Sequence, residues 1–175
     1  MLFDKFIRLV EDHADQLTRL WIEEIRSNPS TKGYNEFSDE LLGKRIFDVY
    51  HRLGNWLLQD DPSDKKTAEH FIELGRSRAS ENIRVSEVVN ALILARVIIT
   101  RFIDEQALAN SALEIHLAQE FYRRLIVFFD KATYFVVVGY ETQTPEEREK
   151  IHKSDFINKS IDSITRWIIT DRHNP

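Results

Sequence analysis

The sequence predicts an all-α fold, a single-domain bundle of about six helices around a buried central helix near residues 86–108. Three observations carry this. Glycine and proline are scarce, at 5 and 4 of 175 residues, which favours long helices over a sheet with many tight turns. Apolar residues recur at spacings of three and four along most of the chain. The stretch from Phe71 to Ile103 begins polar, crosses a short polar break and then becomes apolar on nearly every side, with Arg96 near its middle. A soluble helix that is apolar all round must be surrounded by other helices. A charge inside it needs a partner, a ligand or a route to water.

Each element follows in turn. Residues 2–27 read as one helix on the stripe Phe6, Val10, Ala14, Leu17, Trp21 and Ile25. Pro29 and Gly33 end it in a polar loop that is expected to be mobile. Residues 39–59 form a second helix on Leu42, Ile46, Val49, Leu53 and Trp56. Asp61-Pro62 has the pattern of an N-cap followed by proline at the first helical position, opening a third helix to about Arg78 at the edge of the bundle. Ser86 is placed to cap the central fourth helix, which runs to about Leu108. Ser111 and Glu114 have capping-box spacing and open a fifth helix, from about Ala112 to Tyr140, whose second half is rich in aromatics. Val136 to Val138 is β-branched but continues the helical stripe from Phe121. Thr144-Pro145-Glu146-Glu147 is the clearest cap in the chain. It opens a final helix with an apolar stripe through Ile157, Ile161, Ile164 and Trp167.

Composition narrows the function. An apolar fraction of 42% and a charged fraction of 30% belong to a folded soluble protein. The net charge is −5, with both signs interspersed, so nucleic-acid binding is not expected. There is no cysteine, which removes disulfides, thiol catalysis and thiolate metal sites. The charged N-terminus lacks the pattern of a signal peptide, and a cytoplasmic location is the default. Val85 to Ile103 has the length of a membrane span, but Glu87, Asn90, Arg96 and Arg101 fall within it, so no span is expected.

The side chains that could carry chemistry are few. Glu23-Glu24, Asp60-Asp61 and Glu146-Glu147 are adjacent pairs, whereas convergence on one helix face needs a spacing of three or four. Glu149 and His152 form a single Glu-x-x-His, and a di-iron bundle needs two. No nucleophile elbow or phosphate loop is present, and the chain is expected not to be an enzyme. Gly75 and Gly139 stand alone in their helices, with Gly75 suited to close helix contact or a loosened helix end. Among the six histidines, His70 and His116 are the candidates for a haem ligand; the bland reading is surface histidine. Arg76, Arg78, Arg84, Arg96 and Arg101 cluster around the central stretch. Arg96 is in the most apolar setting, either as a structural ion pair or as an anchor for an anion or carboxylate. Arg78, Tyr122, Tyr134, Tyr50 and Trp56 are candidates to accompany it in a ligand pocket, or are simple core.

With these residues laid out, the chain resembles the N-terminal sensor module of RsbR/RsbRD-type stressosome co-antagonists and related histidine-kinase N-terminal domains. Trp21, Leu74-Gly75-Arg76, Arg78-Ala79, Val85-Ser86-Glu87-Val88-Val89, Ala91-Leu92, Arg96, Tyr134 and Gly139-Tyr140-Glu141 carry the resemblance. It implies a globin-like or bundle-like fold that usually lacks haem, forms dimers and receives a signal. It divides the chain into a helical sensor domain, 1–142, and a C-terminal amphipathic extension, 143–175, that docks on the bundle or on a second copy. In the relatives the exit helix leads into an output domain, whereas here only Glu141 to Pro175 follow. The expected function is a non-enzymatic cytoplasmic sensor or regulatory module without a cofactor, acting as a homodimer or on a signalling protein, with a small-molecule ligand at Arg96 an added option. The alternative is a haem or gas-binding globin-like sensor.

Overall fold

The computed structural model describes residues 3–58, 62–106, 112–143, 149 and 156–169, and every regular element among them is a helix. In chain order these are α1 (Phe3–Asp12), α2 (Ala14–Ser27), a 3₁₀ helix (Pro29–Glu36), α3 (Asp39–His51), α4 (Leu53–Leu57), α5 (Pro62–Ser80), α6 (Val85–Gln106), α7 (Ala112–Glu141) and α8 (Phe156–Ile169). The all-α reading holds. Two of the expected helices are each divided once.

The first division is at His13, whose φ of −110° and ψ of 19° leave the helical region. Its N–H bonds to Val10 O, three residues back, at 3.2 Å. Val10, Ala14, Leu17 and Trp21 remain buried on both sides of the break. The apolar stripe crosses it unbroken, so periodicity does not reveal it. The second is at Arg52, with φ −117° and ψ 26°, which cuts the five-residue α4 away from α3.

The segment expected to be a mobile loop is instead an anchored 3₁₀ helix. Asn28 Oδ1 accepts the Ser30 N–H at 2.8 Å and Pro29 occupies the first position, where its missing N–H costs nothing. Thr31 is fully buried and its hydroxyl donates to Ile25 O at 2.8 Å. The Arg26 guanidinium donates to Tyr34 O at 2.9 Å, Phe37 O at 2.5 Å and Asp39 Oδ1 at 2.6 Å. Ser38 then caps α3 by accepting from Leu41 N.

The polar break after α5 is a left-handed C-cap. Asn82 has a φ of 59° and the Ile83 N–H reaches back to Arg78 O at 3.1 Å, the long bond of a Schellman motif. Ser86 lies inside the first turn of α6 and does not cap it. The caps expected at Asp61, Ser111 and Thr144 to Glu147, and the helix end at Leu108, lie outside the described residues.

The helices gather into two compact units, Met1–Leu58 with Ser86–Phe129 and Gln59–Val85 with Asp130–Pro175. In the first, Leu17, Ile25, Leu42, Tyr50, Leu53, Ile99, Ile103, Phe121 and Leu125 form a fully buried core. Phe6 meets Phe121 with ring centroids 5.6 Å apart. α6 buries one broad face from Glu87 to Ile103. A second strip stays wetter, with Ile93 at 42% exposure and Val89, Arg96 and Val97 half-buried.

In the second unit α5 and the end of α7 cross through Gly75 and Gly139. A Cβ added at Gly75 would lie 2.2 Å from Val136 O, and one at Gly139 would lie 2.2 Å from Ile72 O. The two backbones therefore touch, as the lone glycines permit. Arg76 Nε donates to Thr142 O at 3.0 Å and the Tyr140 hydroxyl donates to Ile83 O at 2.7 Å, fastening the ends of this crossing. α8 packs against α5 with Ile157 and Ile161 buried. None of the described helices is long and apolar enough to cross a membrane.

Candidate functional site

The first unit holds two polar arrangements, one with its carboxylate buried and one nearer the surface. One is centred on Glu87, which is only 3% exposed although charged. Its Oε1 accepts the Gly33 N–H at 2.8 Å, so α6 grips the 3₁₀ helix across the unit. The fit is close, because a Cβ on Gly33 would lie 2.6 Å from Glu87 Oε2. One turn further along α6, Ala91 O accepts from Trp21 Nε1 at 3.0 Å. Tyr34 meets Trp21 edge-on with centroids 6.1 Å apart. Carboxylate, glycine and aromatic pair thus fix where the 3₁₀ helix lies.

The other arrangement surrounds α4. Glu11 Oε1 accepts the Gly54 N–H at 2.8 Å at the start of that helix. Arg124 Nη1 donates to Leu57 O at 3.2 Å at its end. Both charges match the helix dipole. Trp56 on α4 stacks on Phe128 with centroids 5.8 Å apart. Arg124 is itself held by Glu120, whose carboxylate also accepts three bonds from Arg123. Arg123 and then Arg124 hold the Glu120 carboxyl far below the ordinary range, at about 2.

Nothing in either arrangement resembles a reaction centre. Among the described residues no group of three or more His, Asp or Glu could hold a metal ion. Glu149 is exposed and His152 lies outside the described residues. What the geometry builds is a set of helices locked by specific charged and backbone contacts.

Comparison with known families agrees. A match to the family described as the RsbT co-antagonist protein rsbRD N-terminal domain spans residues 15–151, well over half of the chain. The chain belongs to that family. No curated protein and no solved structure matches it. This rsbRD-type domain is therefore a regulatory, signalling module of stressosome type, and the matched residues run from α2 through α7.

The residues singled out in the sequence belong to both units of the rsbRD-type domain. Arg96 is half-buried on the wetter strip of α6. Tyr122 on α7 is half-buried and its hydroxyl donates to Asp104 Oδ1 at 2.5 Å; burial first and that bond second push its ionisation up. Trp56 belongs to α4. In the second unit, Arg78 is buried beside Glu81 at 3.3 Å, and Tyr134 is exposed with its hydroxyl 3.3 Å from Ser160 Oγ. His70 on α5 and His116 on α7 are both exposed.

In the sequence Glu87 counts only as a charge against a membrane span and as part of the family resemblance, and Glu11 and Arg124 do not stand out at all. Glu87 was legible in principle, as an acid beside Val88 and Val89 that falls on the same helical face as Ala91. Glu11 and Arg124 look like surface charges until the break at Arg52 creates helix ends for them to meet.

Proposed function

We propose that this rsbRD-type domain is a non-enzymatic cytoplasmic signalling module that works by pairing with a second copy of itself, the pair then acting on a signalling protein. The observation that carries this is on α7. Ile115 and Ile126 are 50% and 47% exposed. They are eleven residues apart, which on a helix is three turns plus about 20°, so they share one face. The half-buried Tyr122 lies between them on the same stripe. Large aliphatic side chains aligned on one helix face, outside their own core, suit helix-to-helix docking. Residues 1–142 then form the sensing part, with 143–175 as an extension.

The absence of cysteine from the sequence makes the test clean. Single-cysteine variants Ile93→Cys, Ile115→Cys and Ile126→Cys are oxidised beside Lys44→Cys, which is on exposed α3 surface. At least one of the three is expected to form a covalent dimer far faster than the Lys44→Cys control. Equal, slow crosslinking in all four contradicts the proposal.

A further inference from the structure

We propose that α4 is a detachable clip, held closed by Glu11 at one end and Arg124 at the other, and that α7 controls it. A helix of five residues is far below the length at which helices persist alone in water. It forms here because its ends and one face are secured from outside. Leu53, Gly54 and Leu57 are buried. Gly54 lies against α1 so closely that a Cβ would meet Ile7 Cγ2 at 3.0 Å and Glu11 Oε1 at 3.1 Å. The Gly54 N–H and the Leu57 carbonyl are end groups that a helix cannot satisfy internally. A carboxylate from α1 takes the first at 2.8 Å and a guanidinium from α7 takes the second at 3.2 Å.

The two faces of α7 connect the clip to the proposed docking stripe. Arg124 is two residues from Ile126, about 160° round the helix. Phe128, under Trp56, is one turn beyond Arg124 on the same side. A partner pressing on Ile115 and Ile126 can therefore turn α7 and withdraw Arg124 from Leu57 O. With that bond lost, the C-terminal end of α4 loses its charged anchor, while Glu11 still holds the other end. Opening exposes Leu53, Leu57 and the Trp56–Phe128 pair. The regulatory use of the clip rests on the function proposed above. The clip's mechanics rest on the hydrogen bonds alone.

Hydrogen–deuterium exchange on the full chain separates the two. Glu11→Ala, Arg124→Ala and the double variant are compared with the parent at low salt, all below the concentration at which any association is detected. Each single variant is expected to speed exchange of the amides from Leu53 to Leu58 by about tenfold, the scale of one charge-assisted bond. Exchange in α2 and α3 should not change. In the parent, about 1 M salt, which screens charges beyond about 3 Å, should speed the same amides and have little effect on them in the double variant. Unchanged exchange at Leu53 to Leu58 in both single variants overturns the clip, as does a uniform rise across the first unit. Either result leaves the dimer proposal standing, because crosslinking reads a different face.

Discussion

Glu87 is buried among apolar side chains because its carboxylate satisfies the Gly33 amide that would otherwise be lost to the core. Removing one partner of such a bond leaves the other, at a part-buried position, without its hydrogen bond. Glu87→Ala is expected to cost about 2–3 kcal/mol in chemical denaturation. Glu87→Gln, which retains an acceptor oxygen, should cost less. Gly33→Ala should also destabilise, since its methyl would meet Oε2 at 2.6 Å. Tyr50 presents the opposite case. It is fully buried and its hydroxyl has no hydrogen-bond partner among the described residues, and burial raises its ionisation well above the usual value. Tyr50→Phe is therefore expected to be at least as stable as the parent in the same titration. A clear loss of stability would mean that the hydroxyl is engaged. Glu120 sets the acid limit. Its folded carboxyl is lowered from the ordinary 4.5 to about 2, so the stability it contributes is present above about pH 4.5 and is lost as pH falls towards about 2. Thermal unfolding over that range should show a smaller acid-induced loss in Glu120→Gln than in the parent.

At the scale of elements, the crossing of α5 and α7 depends on two missing side chains. Gly75→Ala and Gly139→Ala each place a methyl 2.2 Å from a carbonyl oxygen of the facing backbone, and backbone cannot rotate away as a side chain could. Each is expected to lower stability by about 3 kcal/mol, read by denaturant unfolding, although alanine favours helix over glycine by about 1 kcal/mol. This crossing was half legible in the sequence, since an isolated glycine in a helix suggests close approach but does not name the helix that approaches. Helix existence was readable for the same reason that helix breaks were not. Periodicity reports the buried face, and His13 and Arg52 interrupt the backbone without shifting that face. The polar segment after α2 reads as a loop, but Arg26 at the end of α2, the cap residue Asn28 and Thr31 inside the segment anchor it as a 3₁₀ helix. Their role depends on partners such as Ile25 O and Phe37 O that carry no signal in the side-chain pattern. Arg96 drew attention as a charge in an apolar stretch, yet it lies on the half-buried strip. Glu87, four residues before Ala91, is the deeply buried charge of that helix.

For the molecule as a whole, an all-α bundle and membership of the rsbRD N-terminal family were both readable from diffuse patterns, because helix register and a few fixed positions such as Trp21 and Gly75 carry them. The distribution of exposed apolar surface was not, since nothing in the sequence of α7 separates Ile115 and Ile126 from its buried apolar residues, and only the packing shows them outside the core. They carry the proposal that the domain signals by association through α7. It is checked by light scattering of the parent and of the Ile115→Glu/Ile126→Glu variant, over a range of concentrations and with helicity followed by circular dichroism. The parent is expected to have the mass of a dimer and the variant that of a folded monomer. A parent that stays monomeric throughout, or a variant that remains a dimer, contradicts it.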